Sequence, residues 1–420
     1  MSRGPRVGRW LPLLAGLGLV LTLAAAALAI SREGDVSNPG VAFTDQPDPK
    51  PAPEPKRRGN LEPSFEWAHY GYDKSRTRQF RLKDPASLHP PYRYAWAERG
   101  KVLLEFPPVL GRRLVYLLKN NGALYAMHRK TGRVRWKRKL GHLAAASPAY
   151  AHNTVYVTLL QGAKGSGGRV VALNAKNGHI RWTRELPSRS ESSPLYDRGR
   201  LFFGSENGTV YCLDASNGAP VWTHQAPGAV KAALAMDSAR NLYYGTYGGT
   251  VESLRARDGS RRWSATASGN FYSTPAVAWG RVFIGSTDGG VYSFGTHNGD
   301  LAWRHMTGSY VYGSPALTRL PNGGYTVFIG SYDNKLYALD GHTGNVRWSR
   351  KAEGRISGGT VVIGDLVWYS TLNKTTTAVK AKDGDFVWRV KKGAFNPVVS
   401  DGHRIFLVGY SSLFALRPKR

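Results

Sequence analysis

The chain has 420 residues, enough for several times the core of a small domain, with 41% hydrophobic and 11% aromatic residues. Its 58 Lys and Arg against 28 Asp and Glu give a formal charge of +30, which calls for anionic partners or a structural use for arginine. A single cysteine, Cys212, excludes an internal disulfide.

The chain opens with Arg3, Arg6 and Arg9, followed by a mostly apolar run from Trp10 to Ile30. A run of about twenty such residues matches the hydrocarbon core of a bilayer, and the preceding positive charge keeps that end cytoplasmic. We therefore expect residues 1–31 to be an N-terminal transmembrane helix that holds the rest of the protein outside the cytoplasm. A cleaved signal segment is the alternative, because Ala27-Leu28-Ala29 is an acceptable cleavage site and would leave a secreted protein. Cys212 lies too far along the chain to be a lipid attachment point after such a segment.

Residues 32–64 alternate proline through Pro47, Pro49, Pro51, Pro53 and Pro55 and show no apolar periodicity. This composition predicts an extended, disordered tether. Residues 65–93 form a strap leading into the region from 94 to 417, which is repetitive.

Seven pairs in which a Gly precedes a Trp by four positions recur at intervals of 40 to 46 residues, with Trp136, Trp182, Trp222, Trp263, Trp303, Trp348 and Trp388. A recurrence of that length marks one supersecondary unit copied many times. Within a copy, four short runs rich in Val, Ile, Tyr and Trp are separated by Gly, Asn and Asp. They read as four antiparallel strands, and therefore as a propeller blade. The two longest intervals contain the turn-rich stretches 161–168 and 320–324, which lengthen loop tips without shifting register. An eighth copy has three strands, through Phe395–Val398, Arg404–Val408 and Leu413–Leu416, and then the chain ends. The missing strand is expected upstream at Tyr94–Ala97, with Trp96 as the eighth blade tryptophan. The expected fold is an all-β, eight-bladed propeller closed by its N-terminal strand, with seven blades as the fallback.

The run Ala338-Leu339-Asp340-Gly341-His342-Thr343-Gly344-Asn345-Val346-Arg347-Trp348 resembles the tryptophan-docking repeat of pyrroloquinoline quinone (PQQ) type propellers. The resemblance covers roughly residues 65 to 417. The motif's Asp survives at Asp214 and Asp340 but is His128, Asn174, Arg255, Gly295 and Lys380 elsewhere, which leaves the tryptophan as the structural constant. The resemblance implies one of two roles: a quinoprotein dehydrogenase using PQQ with Ca²⁺, or a non-enzymatic scaffold like the lipoprotein of the outer-membrane β-barrel assembly machine. The dehydrogenases carry adjacent disulfide-bonded cysteines and an acidic Ca²⁺ site. This chain has no cysteine pair, and no catalytic acid can be carried over by motif.

No metal-ligand spacing, haem attachment sequence or nucleophile elbow occurs, so neither a catalytic residue nor a metal ligand is assigned. Aligning the first strands stacks equivalent positions around the channel mouth. The expected ligand-facing set is Glu105, Glu191, Lys231, Tyr272, Tyr312, Phe395 and Asn396, with Arg189, Asn270, Tyr310 and Arg355 on nearby loops. Small residues at these levels are also what eight converging strands require sterically. Arg133, Arg135, Lys137 and Lys139 alternate with Trp136, and Arg181, Arg262, Arg347 and Arg389 flank other blade tryptophans. A positive rim follows if these strands are outermost. The expectation is a monomeric, non-catalytic scaffold without a cofactor, binding envelope proteins, anionic lipid or a cell-wall polymer but not nucleic acid. A PQQ-dependent oxidoreductase and a ligand-sensing ectodomain are the alternatives.

Overall fold

A computed structural model describes residues 34–44, 66–162, 167–321 and 324–419. The apolar run at 10–30 and the proline alternation at 47–55 lie outside the described residues. Among those described, no helix is long and apolar enough to cross a membrane.

Eight antiparallel sheets each contain four strands of the propeller. Blade 1 comprises Val109–Leu110, Leu114–Leu118, Ala123–His128 and Val134–Lys139, and the pattern repeats to blade 7, which ends at Phe386–Val390. Blade 8 takes Val398–Ser400, Ile405–Val408 and Leu413–Pro418 from the C-terminus and its outer strand, Tyr92–Glu98, from the N-terminal side. That strand begins two residues earlier than expected. It pairs Trp96 with Ala415 across a bulge, just as Trp136 pairs with Ala126 and Trp182 with Ala172. Eight blades, not seven, close the ring.

Middle strands are buried on both faces between neighbouring blades, so they are mostly apolar, as in Leu114–Leu118 and the first four residues of Leu366–Thr371. Outer strands alternate, and in Val134–Lys139 only Trp136 is fully buried. The indole reaches the next blade: Trp96 donates to the Arg129 carbonyl at 2.8 Å, Trp136 to Ala175 at 3.0 Å, Trp182 to Ala215 at 3.0 Å and Trp303 to Gly341 at 3.0 Å. The glycine of each Gly–Trp pair has a second duty besides its positive φ. A Cβ on Gly178 would come within 2.6 Å of the Trp136 ring, and one on Gly344 within 2.7 Å of Trp303. The signature is therefore a relay, with each glycine turn seating the tryptophan of the blade before it.

Part of the arginine excess reinforces that relay. Two residues beyond the tryptophan, Arg138, Arg184 and Arg350 donate to the carbonyls of Gly178, Gly218 and Gly384 at 3.0, 3.3 and 2.9 Å. Arg262 reaches the Thr296 carbonyl at 2.9 Å, while Arg347 and Arg389 pair with Asp340 and Glu353. The rim is less free than its composition suggests. Arg133, Arg135, Lys137 and Lys139 nevertheless remain exposed on one side of the blade 1 outer strand.

The strap from Trp67 to Phe80 runs along the inner strands. Trp67 bridges Leu110, and the Ala68 carbonyl accepts from Tyr150. Lys74, Ser75, Thr77 and Arg78 carbonyls then accept from Met236, Val277, Leu317 and Val362 at 2.8–2.9 Å, tying blades 4 to 7 in order. Blade 3 is held by His69, whose Nε2 accepts from the Tyr196 amide at 3.3 Å. Burial and the neighbouring Arg76 push the His69 pKa down to about 3. The unfolded chain therefore takes up this proton first, and stability should fall as pH drops below about 6.5, by about 1.4 kcal/mol per unit. We expect urea midpoints of the wild type to drop more steeply than those of His69→Gln between pH 6.5 and 5. Parallel slopes would refute it.

One segment departs from expectation. Residues 35–44, assigned by composition to the tether, lie along blade 5. Val36–Ser37 adds a fifth strand to that blade's outer edge, opposite Arg304 and Trp303. Val41 joins the core, and Phe43 sits 5.0 Å from Tyr325 and 4.8 Å from His342. The buried Arg281 guanidinium donates to the Val41 and Ala42 carbonyls. The prolines that suggested a free tether come later, whereas Val41 and Phe43 supply apolar anchors that a period search misses because they are only two.

Candidate functional site

Two residues ahead of the inner strands, small hydroxyl residues knit one blade to the next around the channel. Ser193 Oγ accepts from the Ser147 amide at 2.9 Å, Thr274 Oγ1 from Ala233 at 3.2 Å and Ser314 Oγ from Thr274 at 3.0 Å. Just before these positions, the chain opens into a funnel whose wall includes Glu105, Glu191, Lys231, Tyr272, Tyr312, Phe395 and Asn396. Its floor is Tyr70 of the strap, which donates to Asn396 Oδ1 at 3.2 Å and lies edge-on to Phe106.

The ionisable groups at the mouth are mutually engaged. Lys231 Nζ lies 3.1 Å from Glu191 and 3.3 Å from Glu206, and Arg189 lies 3.7 Å from Glu206. Tyr272 donates to Glu191 at 3.0 Å, and Asn120 Nδ2 donates to Glu105 at 3.0 Å. Burial raises the Glu191 pKa despite Lys231. Burial opposes ionisation of Glu206 too, but its bonds to Glu191 and Lys231 outweigh that and lower its pKa. The Lys231 ammonium is desolvated, yet its two carboxylate partners hold its pKa above the usual lysine range.

Tyrosines form a continuous arc over blades 4 to 6. Ring centroids run Tyr247 to Tyr272 at 5.9 Å, Tyr272 to Tyr312 at 5.9 Å and Tyr312 to Tyr332 at 4.9 Å, with Tyr310 at 5.9 Å from Tyr312. Lys231 caps one end over Tyr247 at 5.1 Å, and Arg355 the other over Tyr332 at 5.8 Å.

The structure thus gathers seven of the eleven expected residues in the funnel wall and places Arg189, Tyr310 and Arg355 on its rim. Asn270 is the exception. Its backbone N–H donates to Thr287 Oγ1 at 2.8 Å, and the residue is exposed to solvent outside the funnel wall. Glu206, Tyr247 and Tyr332 escape a reading of the first strands alone. They occupy one equivalent position in the turn between second and third strands, in Ser205-Glu206-Asn207-Gly208, Thr246-Tyr247-Gly248-Gly249 and Ser331-Tyr332-Asp333-Asn334. Aligning that turn, as the first strands are aligned, would find them.

As a seat for PQQ and Ca²⁺ the funnel is poorly furnished. Calcium takes about six to eight oxygen ligands from unengaged carboxylates and carbonyls. Here Glu191 and Glu206 already neutralise Lys231 and Arg189, and no group of three His, Cys, Asp or Glu suited to a metal occurs among the described residues. Cys212 is no substitute for the missing disulfide. It is fully buried opposite Trp222, where blades 1 and 2 place alanine, and burial pushes its thiol up to about 12. The residues present do not fit the quinone–calcium pair.

These features define an eight-bladed propeller of tryptophan-docked blades with a tyrosine-rimmed central funnel. The sequence model described as outer membrane protein assembly factor BamB matches residues 93–183, 120–241 and 206–419, and the chain belongs to that PQQ-like family. No curated protein matches it in sequence. Among solved structures it is similar to BamB from Moraxella catarrhalis, with 18% identity, TM-score 0.65, and coverage of 79% of this chain and 99% of that one. It is likewise similar to the quinohemoprotein alcohol dehydrogenase ADHIIG from Pseudomonas putida HK5, with 14% identity, TM-score 0.71, and coverage of 84% and 80%. A europium-containing methanol dehydrogenase gives 14% identity and TM-score 0.68, covering 84% and 98%. At these identities the likeness is one of fold.

Proposed function

We propose that this protein is a non-catalytic binding scaffold, carried outside the cytoplasm on an N-terminal membrane anchor, whose partners are envelope proteins or an anionic envelope component. The observation that carries the reading is the engagement of the mouth carboxylates. Glu191 and Glu206 are tied up by Lys231, Arg189 and Tyr272, which leaves a polar recognition surface rather than a free acid poised for proton transfer. The family model's description as an assembly factor supports protein partners, and the exposed quartet Arg133, Arg135, Lys137 and Lys139 supports an anionic one.

Adding PQQ with Ca²⁺ should give no alcohol- or sugar-dependent dye reduction. Saturable turnover that disappears in Glu105→Gln or Glu191→Gln would replace the scaffold with an oxidoreductase. The anchor has its own test: the protein should stay with membranes through a high-salt wash, which screens merely electrostatic attachment. A mature N-terminus near Ile30 would make it a secreted protein instead.

A further inference from the structure

The funnel mouth carries a charge balance unlike that of the whole molecule. Its acids are Glu105, Glu191 and Glu206 and its cations are Arg189, Lys231 and Arg355, three against three, on a chain with a formal charge of +30. An anionic ligand would gain nothing there that the rim does not offer more strongly. What the mouth presents instead is an arc of half-buried tyrosine rings next to carboxylate and amide groups.

We propose that the funnel mouth binds an uncharged oligosaccharide, the sugar rings lying on the Tyr310–Tyr312–Tyr332 end of the arc with their hydroxyls on Glu105, Glu191 and Lys231. The proposal rests on reading the propeller as a binding protein and names a ligand for its central site. A pyranose ring has a flat C–H face that packs on an aromatic ring, and hydroxyls that both donate and accept. Glu105 already accepts one bond, from Asn120, and Glu191 two, from Tyr272 and Lys231, and a carboxylate's two oxygens have room for further donors. A proline-rich peptide, the other ligand that aromatic grooves take, has few N–H groups to give. It would strip water from these carboxylates without supplying donors in its place. The sugar supplies donors wherever the peptide does not.

The test uses the full-length chain in detergent with chitohexaose and maltoheptaose as probes, measured by saturation-transfer NMR on the sugar protons and by calorimetry. At least one should saturate, and Tyr312→Ala and Tyr332→Ala should each weaken binding by about tenfold, or 1.4 kcal/mol. Tyr94→Ala, on the exposed outer strand of blade 8, should leave it unchanged. If Tyr312→Ala fails to fold, Tyr310→Ala on the rim provides the same readout. The inference is overturned if neither sugar saturates, or if binding ignores the arc substitutions. It is equally overturned if decaproline or polyglutamate, run in parallel, occupies the mouth in place of the sugars. Sugar binding could fail while membrane retention and the absence of turnover hold, so the two readings fall separately.

Discussion

A chain truncated to begin at residue 99 should lose its cooperative melt and aggregate, whereas one that begins at Gly34 should melt as the full-length protein does. The longer deletion removes two fasteners together. One is the outer strand Tyr92–Glu98, whose loss bares the Leu413–Pro418 edge, removes the Trp96 bond to Arg129 and strips Lys119 of its 2.8 Å partner Glu98. Lys119 and Glu98 side chains are only 5% and 14% exposed, so the remaining cation would be left buried and unpaired. The other fastener is the strap, whose carbonyls tie blades 4 to 7 in sequence. A bared strand edge beside apolar Phe414 and Phe406 is also a template for intermolecular pairing. A third truncation, beginning at residue 66, separates the two losses from that of the docked segment. It keeps both fasteners but exposes Arg281, Trp279 and Tyr325 beneath the lost Phe43, and should melt cooperatively a few degrees lower. The measurement is calorimetric melting with light scattering. A melt of the residue-99 chain within a couple of degrees of the parent would show that the ring closes with three strands in blade 8 and without the strap.

The propeller is legible because its signal is repeated. One Gly–Trp pair is weak, but seven in register set the blade length, and the shortfall at the C-terminus points upstream to Trp96. What the pattern does not carry is the reason for the glycine. Positive φ alone explains a turn, while the 2.6 Å approach of the Trp136 ring to the Gly178 position emerges only when two blades are brought together. The funnel is legible in part for the same reason. First-strand positions repeat, so the repeat is enough to find Glu191, Lys231, Tyr272 and Tyr312. Tyr70 cannot be found that way, since it belongs to a strap that occurs once. The docked segment around Val41 and Phe43 escapes on the same ground, having neither period nor copy. Arginine misleads in the other direction: Arg262, Arg347 and Arg389 read as rim charge and are bonded to the Thr296 carbonyl, Asp340 and Glu353.

The relay between tryptophan and glycine predicts a coupling that either residue alone would not reveal. Trp303 is fully buried, donates to the Gly341 carbonyl at 3.0 Å and packs 5.8 Å from Phe283. Trp303→Ala should cost about 3–5 kcal/mol, the range for emptying a large buried aromatic site. Trp348, only partly buried, should cost less under the same substitution. Gly344→Ala should also destabilise strongly, for two reasons. Its φ of +79° is strained for any residue with a Cβ, and that Cβ would stand 2.7 Å from the Trp303 ring. The strain belongs to Gly344 alone, but the clash exists only while the indole is present. In the Trp303→Ala background the Gly344→Ala cost should therefore shrink to the backbone part, roughly 1–2 kcal/mol. Guanidinium melts of the two single variants and the double variant close the cycle. Additive costs would mean that the glycine serves its turn and nothing more. Strong non-additivity would show that each turn seats its neighbour's tryptophan.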